Sequence, residues 1–256
     1  MSILVMKFGG ASLSTPTKIK KVARIIEKRK RIYQKIVVIV SAMGDMTDKL
    51  LELSKKISIN PHKREVDMLI TAGERISMSL LAMALYERKI EAISFTGSQS
   101  GIITTKDHSE AKIIDIKPFR VIESLNENKV VIVAGFQGVS LTKEITTLGR
   151  GGSDTSAVAL AAALGSKKVE FFKDVEGVYD RDPKKYLNAK KFDEMSYLQA
   201  SNLMTKGAKV LHQRCVKLAE KNGIILHLLS FNNCKQNKGT IIKNNKAIKF
   251  SKILYE

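Results

Sequence analysis

Cysteine is nearly absent from this sequence, with only Cys215 and Cys234 among 256 residues. Two thiols cannot make a disulfide framework, and these two have no metal-ligand spacing. No apolar run reads as long enough to cross a bilayer. The opening segment, Met1-Ser2-Ile3-Leu4-Val5-Met6-Lys7, lacks the basic start, longer apolar stretch and small-residue cleavage site of a secretory signal. A reduced, cytoplasmic protein without a membrane partner is the expectation. Glycine (16) and proline (4) are not in excess, and no linker, low-complexity tract or internal repeat is visible. Acid is scarce as well: 25 Asp and Glu stand against 44 Lys and Arg, leaving +19.

That imbalance raises nucleic acid as a partner, because clustered cations neutralise phosphates and release counterions. The densest cluster lies between Lys18 and Lys35, where nine residues are basic and only Glu27 is acidic. Ile19, Val22, Ala23, Ile26 and Tyr33 recur there at helical spacing, which puts the cations on the opposite, solvated face. No aromatic residues interleave to stack on bases and no DNA- or RNA-binding motif is present, so nucleic acid is not expected. A positive field would also draw in small anionic substrates.

With 44% apolar residues the chain can bury a sizeable core. Apolar runs alternate with amphipathic helical patterns, the mark of an α/β fold with a mostly parallel sheet. Strands are predicted at Ile3–Phe8, Ile36–Val40, Ala92–Phe95, Val130–Ala134, Val169–Phe172 and Ile224–Leu229. Thr15-Pro16 reads as a helix start, and Ser196 with Gln199 as a capping box. Ser153 or Asp154 is expected to cap a helix that Gly165 ends. A further helix is predicted from Ala208 to Lys221, stopped by Asn222-Gly223.

Three segments carry chemistry. In Met6-Lys7-Phe8-Gly9-Gly10-Ala11-Ser12 a strand ends in a lysine and two glycines. Glycine N–H groups can cradle a phosphate beside the Lys7 charge, although an ordinary glycine turn has the same form. This is not a Walker A loop, because the lysine precedes the glycines. In Thr147-Leu148-Gly149-Arg150-Gly151-Gly152-Ser153-Asp154 a glycine-rich loop runs into a helix start, where anions are favoured. Arg150 can grip a carboxylate at two points, and Asp154 is either a cap or an anion that orients lysines. In the third, Lys173-Asp174-Val175-Glu176-Gly177-Val178-Tyr179-Asp180-Arg181-Asp182-Pro183-Lys184, Tyr179 could flank a base while Lys173 and Lys184 reach phosphates. A charged surface loop is the alternative there.

Together these segments resemble the amino acid kinase superfamily, and aspartokinases within it. Lys7-Phe8-Gly9-Gly10, Val40-Ser41-Ala42, Gly73-Glu74, Thr96-Gly97-Ser98-Gln99-Ser100-Gly101-Ile102, the Gly149–Asp154 block, Asp174–Pro183 and Gly207–His212 are similar to family blocks in family order, over nearly the whole chain. The resemblance implies a three-layer αβα sandwich in a single 1–256 domain, with an aspartate-binding lobe (1–148) and a nucleotide-binding lobe (149–256). It implies transfer of the γ-phosphate of ATP, with Mg²⁺, to the β-carboxylate of L-aspartate. The product, 4-phospho-L-aspartate, opens the route to lysine, diaminopimelate, threonine and methionine.

By the same resemblance Lys7, Asp154 and Lys209 are catalytic, and Ser41, Thr47, Glu74, Arg150 and Ser153 bind the acceptor. Lys7, Gly9, Gly10, Ser12, Lys173, Asp174, Tyr179, Lys184 and Lys209 fall at ATP-binding positions, and no metal ligand is nominated. The sequence departs from the family at Lys173 (often Thr), Lys184 (commonly Arg), Lys206 (Phe) and Gln213 (Pro). After Gly239-Thr240-Ile241-Ile242 the chain ends at Glu256, where most aspartokinases continue into ACT domains that bind lysine or threonine. Absence of intrinsic lysine inhibition is therefore an expectation, as is a homodimer; a separate regulatory subunit and a truncated chain are the alternatives left open. The competing readings are a superfamily member with another acceptor and a non-catalytic basic binding protein.

Overall fold

A computed structural model describes residues 2–183, 185–208, 210–232, 238–244 and 253–256; Lys184, Lys209 and Cys234 lie outside the described residues. The first half runs β1 (Ile3–Phe8), α1 (Gly10–Leu13), α2 (Pro16–Lys30), β2 (Lys35–Val40), α3 (Met46–Ile57), α4 (Lys63–Ile70), α5 (Ala72–Tyr86), β3 (Ala92–Phe95), β4 (Ile102–Thr104) and β5 (Ile113–Ile116). It continues with α6 (Phe119–Asn126), β6 (Val130–Ala134), β7 (Gln137–Ser140) and β8 (Ile145–Thr147). The remainder is α7 (Gly152–Ala163), β9 (Lys168–Lys173), β10 (Glu194–Met195), α8 (Tyr197–Thr205), α9 (Gln213–Asn222), β11 (Ile225–Ser230) and β12 (Thr240–Ile242).

The six strands expected from sequence run side by side in the larger sheet, from β11 to the edge strand β3; its order is β10-β12-β11-β9-β1-β2-β6-β3. All neighbours from β11 to β3 are parallel. Such a sheet is covered on both faces, so its strands read as apolar runs. Side chains alternate between the faces along each strand. Leu4, Met6 and Phe8 of β1 pack with Ile19, Val22 and Ile26 of α2 and Leu81 and Leu85 of α5. Val5, Val37, Ile39, Val169 and Phe171 pack on the other face with Val158 and Ala161 of α7 and Val216 and Ala219 of α9. Two apolar cores on one sheet give the three-layer αβα sandwich.

The basic helix behaves as its periodicity implies. Thr15 Oγ1 accepts the Lys18 N–H at 3.3 Å, and α2 buries Ile19, Val22, Ala23, Ile25 and Ile26. The capping box at Ser196 and Gln199 is present.

Four features correct the sequence reading. A second sheet, β5-β4-β7-β8, was not foreseen, because its strands are three or four residues long and mix Thr, Ser and Gln with Ile. Gly151, not Ser153 or Asp154, caps α7, so both side chains sit inside the first turn. The helix expected from Ala208 begins at Gln213, with His212 as its cap. Finally, Lys63–Tyr86 is long and apolar enough to span a bilayer by length and composition. It is broken at Thr71, half buried, and packs Met78, Leu81 and Leu85 into the core, as a core helix pair does.

Candidate active site

The parity of β1 decides where Lys7 points. Phe8 turns to the α2 face and stacks on Phe172, with ring centroids 4.6 Å apart. Lys7 therefore shares the face of Val5, under α7. β9 lies beside β1 in parallel, with Lys7 opposite Phe171, and Lys173 follows on the same face at the strand's carboxyl end. The first turn of α7 brings Asp154 between the two lysines. Its Oδ1 lies 2.5 Å from Lys7 Nζ and its Oδ2 3.0 Å from Lys173 Nζ.

This cluster is enclosed, with the side chains of Lys7 and Asp154 only 6% and 8% exposed. Burial pulls the Lys7 ammonium below its ordinary value, and Asp154 opposes that. Burial alone would raise the Asp154 carboxyl, but the ammoniums of Lys173 and Lys7 outweigh it and hold the group at about 2. Asp154 is thus a carboxylate carrying two cations, and the cluster keeps one uncompensated positive charge. It sits at the start of α7, where the helix dipole also favours an anion.

Two cavities meet at the cluster. One, of about 670 Å³, is lined by Lys7, Gly10, Ser41, Thr47, Glu74, Arg150, Ser153 and Asp154, together with Asp48, Ser109 and Thr147. Glu74 is its most unusual wall residue. Oε1 accepts the Ala42 N–H at 3.0 Å, but Oε2 is buried without a hydrogen-bond partner. Burial raises the Glu74 carboxyl to about 7, against the opposing pull of the Ala42 N–H and of Lys7. A buried oxygen of this kind needs a donor from a ligand or from water.

The second cavity, of about 720 Å³, is lined by Lys173, Asp174, Gly177, Tyr179, Pro183, Lys206 and Ala208 among others. A smaller one contains Gly151, Asp154, Ala208 and His212, and so shares residues with both. Lys7 and Asp154 face the first cavity and Lys173 the second.

Backbone geometry makes the meeting point possible. Gly149 and Gly151 both adopt left-handed conformations, with φ of 70° and 74°. A Cβ on Gly151 would lie 2.2 Å from the Cβ of His212, so only glycine lets the loop close there. Arg214 braces the loop from outside, donating to the carbonyl oxygens of Leu148 and Ala111 while its Nε and Nη2 hold the Glu256 carboxylate at 2.7 and 2.8 Å.

Of the residues nominated from sequence, Lys7, Gly10, Ser41, Thr47, Glu74, Arg150, Ser153 and Asp154 gather in the first cavity, and Lys173, Asp174 and Tyr179 in the second. Gly9 lies beside Lys7, where a Cβ would come 3.7 Å from Nζ. Ser12 is buried in α1 and is not among the lining residues of either cavity. Lys184 and Lys209 lie outside the described residues. Sequence reading missed Asp67, Ser109 and Thr147. Asp67 had a signal: it is the one acid within the otherwise apolar run Val66–Ile70.

The family model described as "Amino acid kinase family" matches residues 2–230. The aspartokinase of Mycobacterium tuberculosis (strain ATCC 25618 / H37Rv) is 49% identical over 231 residues, covering 90% of this chain and 55% of that one. The chain spans about half the length of the curated relatives it matches. The crystal structure of aspartate kinase from Synechocystis aligns with a TM-score of 0.86 at 41% identity, over 98% of this chain and 41% of that chain. That of E. coli aspartokinase III in complex with aspartate and ADP aligns at 0.86 with 25% identity, over 96% and 65%. A match running from β1 into β11 takes in every strand that shapes the lysine–carboxylate cluster, and the chain belongs to the amino acid kinase family.

Proposed function

We propose that this chain transfers the γ-phosphate of ATP to the β-carboxylate of L-aspartate, forming 4-phospho-L-aspartate. The observation that carries the reading is the unpartnered, buried Glu74 Oε2 in a cavity that also holds Arg150 and ends at Lys7. An α-ammonium satisfies Glu74, and an α-carboxylate satisfies the guanidinium fork of Arg150. The side-chain carboxylate is then left to reach Lys7. Ser41, Thr47 and Ser153 complete the polar wall. ATP occupies the second cavity, with Tyr179 against the nucleoside and Lys173 at the phosphates. The E. coli relative, whose structure holds aspartate and ADP, supports the same pairing of ligands.

The chemistry asks little of a base, because a side-chain carboxylate is already ionised at neutral pH. What opposes reaction is repulsion between that anion and the γ-phosphate. In phosphoryl transfer, positioning and charge neutralisation supply most of the rate. Lys7 and Lys173, fixed on one carboxylate, place positive charge on the acceptor side and the nucleotide side of the transfer point. The amino end of α7 adds its dipole. Lys209, by its place in the family block, would add a further cation.

Mg²⁺ would add charge neutralisation between the nucleotide phosphates. Such an ion takes one or two carboxylates and keeps several waters. Asp174, which lines the nucleotide cavity beside Lys173, suits that donor set. A cytoplasmic homodimer acting in lysine and diaminopimelate synthesis is part of the same proposal.

An acceptor panel trapped with hydroxylamine tests the reading. Aspartate should give ATP-dependent hydroxamate, and glutamate, with one more methylene, much less. A preference for any other acceptor would refute it.

A further inference from the structure

Asp67 takes no part in the chemistry above, yet it is fully buried and its oxygens are densely used. Oδ1 accepts from Thr147 Oγ1 at 2.6 Å and Oδ2 from the Thr147 N–H at 3.1 Å. Both oxygens lie 3.1 Å from the Ser109 nitrogen, and His108 Nδ1 stands 2.9 Å from Oδ2. One carboxylate on α4 thus ties together the 108–109 loop and the end of β8, which are far apart in sequence.

Ser109 is held in an unfavourable state. Its φ is +71°, a left-handed conformation that a non-glycine residue adopts only against its steric preference. Strain of this kind persists where the surroundings impose it, and here the Asp67 carboxylate on the Ser109 N–H does so. The consequence passes directly to the acceptor cavity. Ser109 and Thr147 both line it. The Ser109 carbonyl closes on Gly149 so tightly that a Cβ there would lie 2.9 Å from it, and Arg150 is the next residue. The Thr147 carbonyl is fixed in turn by the Ala111 N–H at 2.9 Å.

We infer that Asp67, steadied by His108, is a positioning residue that sets affinity for the amino-acid acceptor by holding Ser109, Thr147 and the root of the Arg150 loop in one arrangement. This rests on the assignment of that cavity to the acceptor. Asp67 touches neither substrate; it acts through the wall. Its loss therefore raises the acceptor KM and leaves the nucleotide cavity, on the far side of Asp154, as it was.

The test uses three variants of the whole chain. Asp67→Asn keeps the size but turns an NH₂ toward N–H donors, and should raise the aspartate KM about tenfold with the ATP KM and kcat within about twofold. His108→Ala should raise it about threefold, since one of the several hydrogen bonds that hold the carboxylate is lost. His108→Asn, whose amide nitrogen can stand where Nδ1 does, should restore it. If Asp67→Asn does not fold, the His108 pair carries the test alone. An ATP KM or kcat that deteriorates in step with the aspartate KM, or an unchanged aspartate KM, overturns the inference. Should the wild type not use aspartate at all, the acceptor assignment has failed and the weld is read separately by amide hydrogen exchange. His108→Ala should then speed exchange at Ser109, Thr147 and residues 148–153 while β1 and β2 stay protected. Uniform or absent change overturns it.

Discussion

Lowering the pH from 8 to 6 should weaken acceptor binding about tenfold through one group, the Glu74 carboxyl. Burial raises this carboxyl to about 7, and its Oε2 has no hydrogen-bond partner within the protein. If an ammonium binds only the ionised form, about nine in ten molecules are competent at pH 8 and about one in eleven at pH 6. The aspartate KM should rise accordingly, with the ATP KM as the control. Binding of aspartate at pH 7 should release about half a proton, read by calorimetry in buffers of different ionisation enthalpy.

Stability should move in the opposite sense. The folded state keeps this proton to a higher pH than the unfolded chain, so its contribution is complete below about pH 4.5 and is lost as the pH rises to about 7. The displacement from 4.5 to about 7 corresponds to about 3 kcal/mol. Glu74→Gln removes the titration. Relative to wild type, its unfolding free energy should shift by about 3 kcal/mol in favour of Gln between pH 4 and pH 8. Its aspartate KM should be high at every pH. A wild-type aspartate KM that is flat from pH 6 to 8, or a Glu74→Gln protein that binds aspartate normally, would refute the reasoning.

Asp154→Asn leaves two ammoniums without their shared buried carboxylate and should cost about 3–5 kcal/mol in urea unfolding. Gly151→Ala should destabilise by more than the roughly 1–2 kcal/mol of a left-handed alanine, because its Cβ also meets His212; thermal unfolding and initial rates should both fall. Lys173→Thr should raise the ATP KM by about tenfold and leave the aspartate KM within about twofold, on the scale of one charge-assisted contact.

The six parallel strands were legible because strands covered on both faces have to be apolar throughout, and Ile36 to Val40 could hardly be anything else. The second sheet was not, since Ile145-Thr146-Thr147 and Gln137–Ser140 have no run or alternation to separate them from loop. The capping box at Ser196 was readable because both of its hydrogen bonds are local. The α7 cap was misread because Gly151, through its backbone conformation, took a place that Ser153 and Asp154 fit by side chain. That shift of a few residues has a functional consequence: it frees Asp154 from capping and turns it onto two lysines.

In the site, local blocks identified Lys7, Arg150, Asp154 and Lys173, and family resemblance added Glu74. The raised carboxyl of Glu74 depends on enclosure by β2, α5 and the loop after β2, which no local pattern reports. Asp67 and Ser109 were missed for a similar reason. They meet only because α4 packs beside β8, and the strained backbone of Ser109 leaves no mark in its residue type.

The central claim is that the Lys7–Asp154–Lys173 cluster joins an acceptor cavity to a nucleotide cavity and moves a phosphoryl group between them. Its most direct test is ATP-dependent aspartyl hydroxamate formation by the wild type and by Lys7→Ala, with ATP binding measured on both. Hydroxamate from the wild type, its loss by at least about a thousandfold in Lys7→Ala, and ATP affinity within about tenfold is the predicted result. Undiminished hydroxamate from Lys7→Ala, or ATP bound by a wild type that never modifies aspartate, would contradict the account.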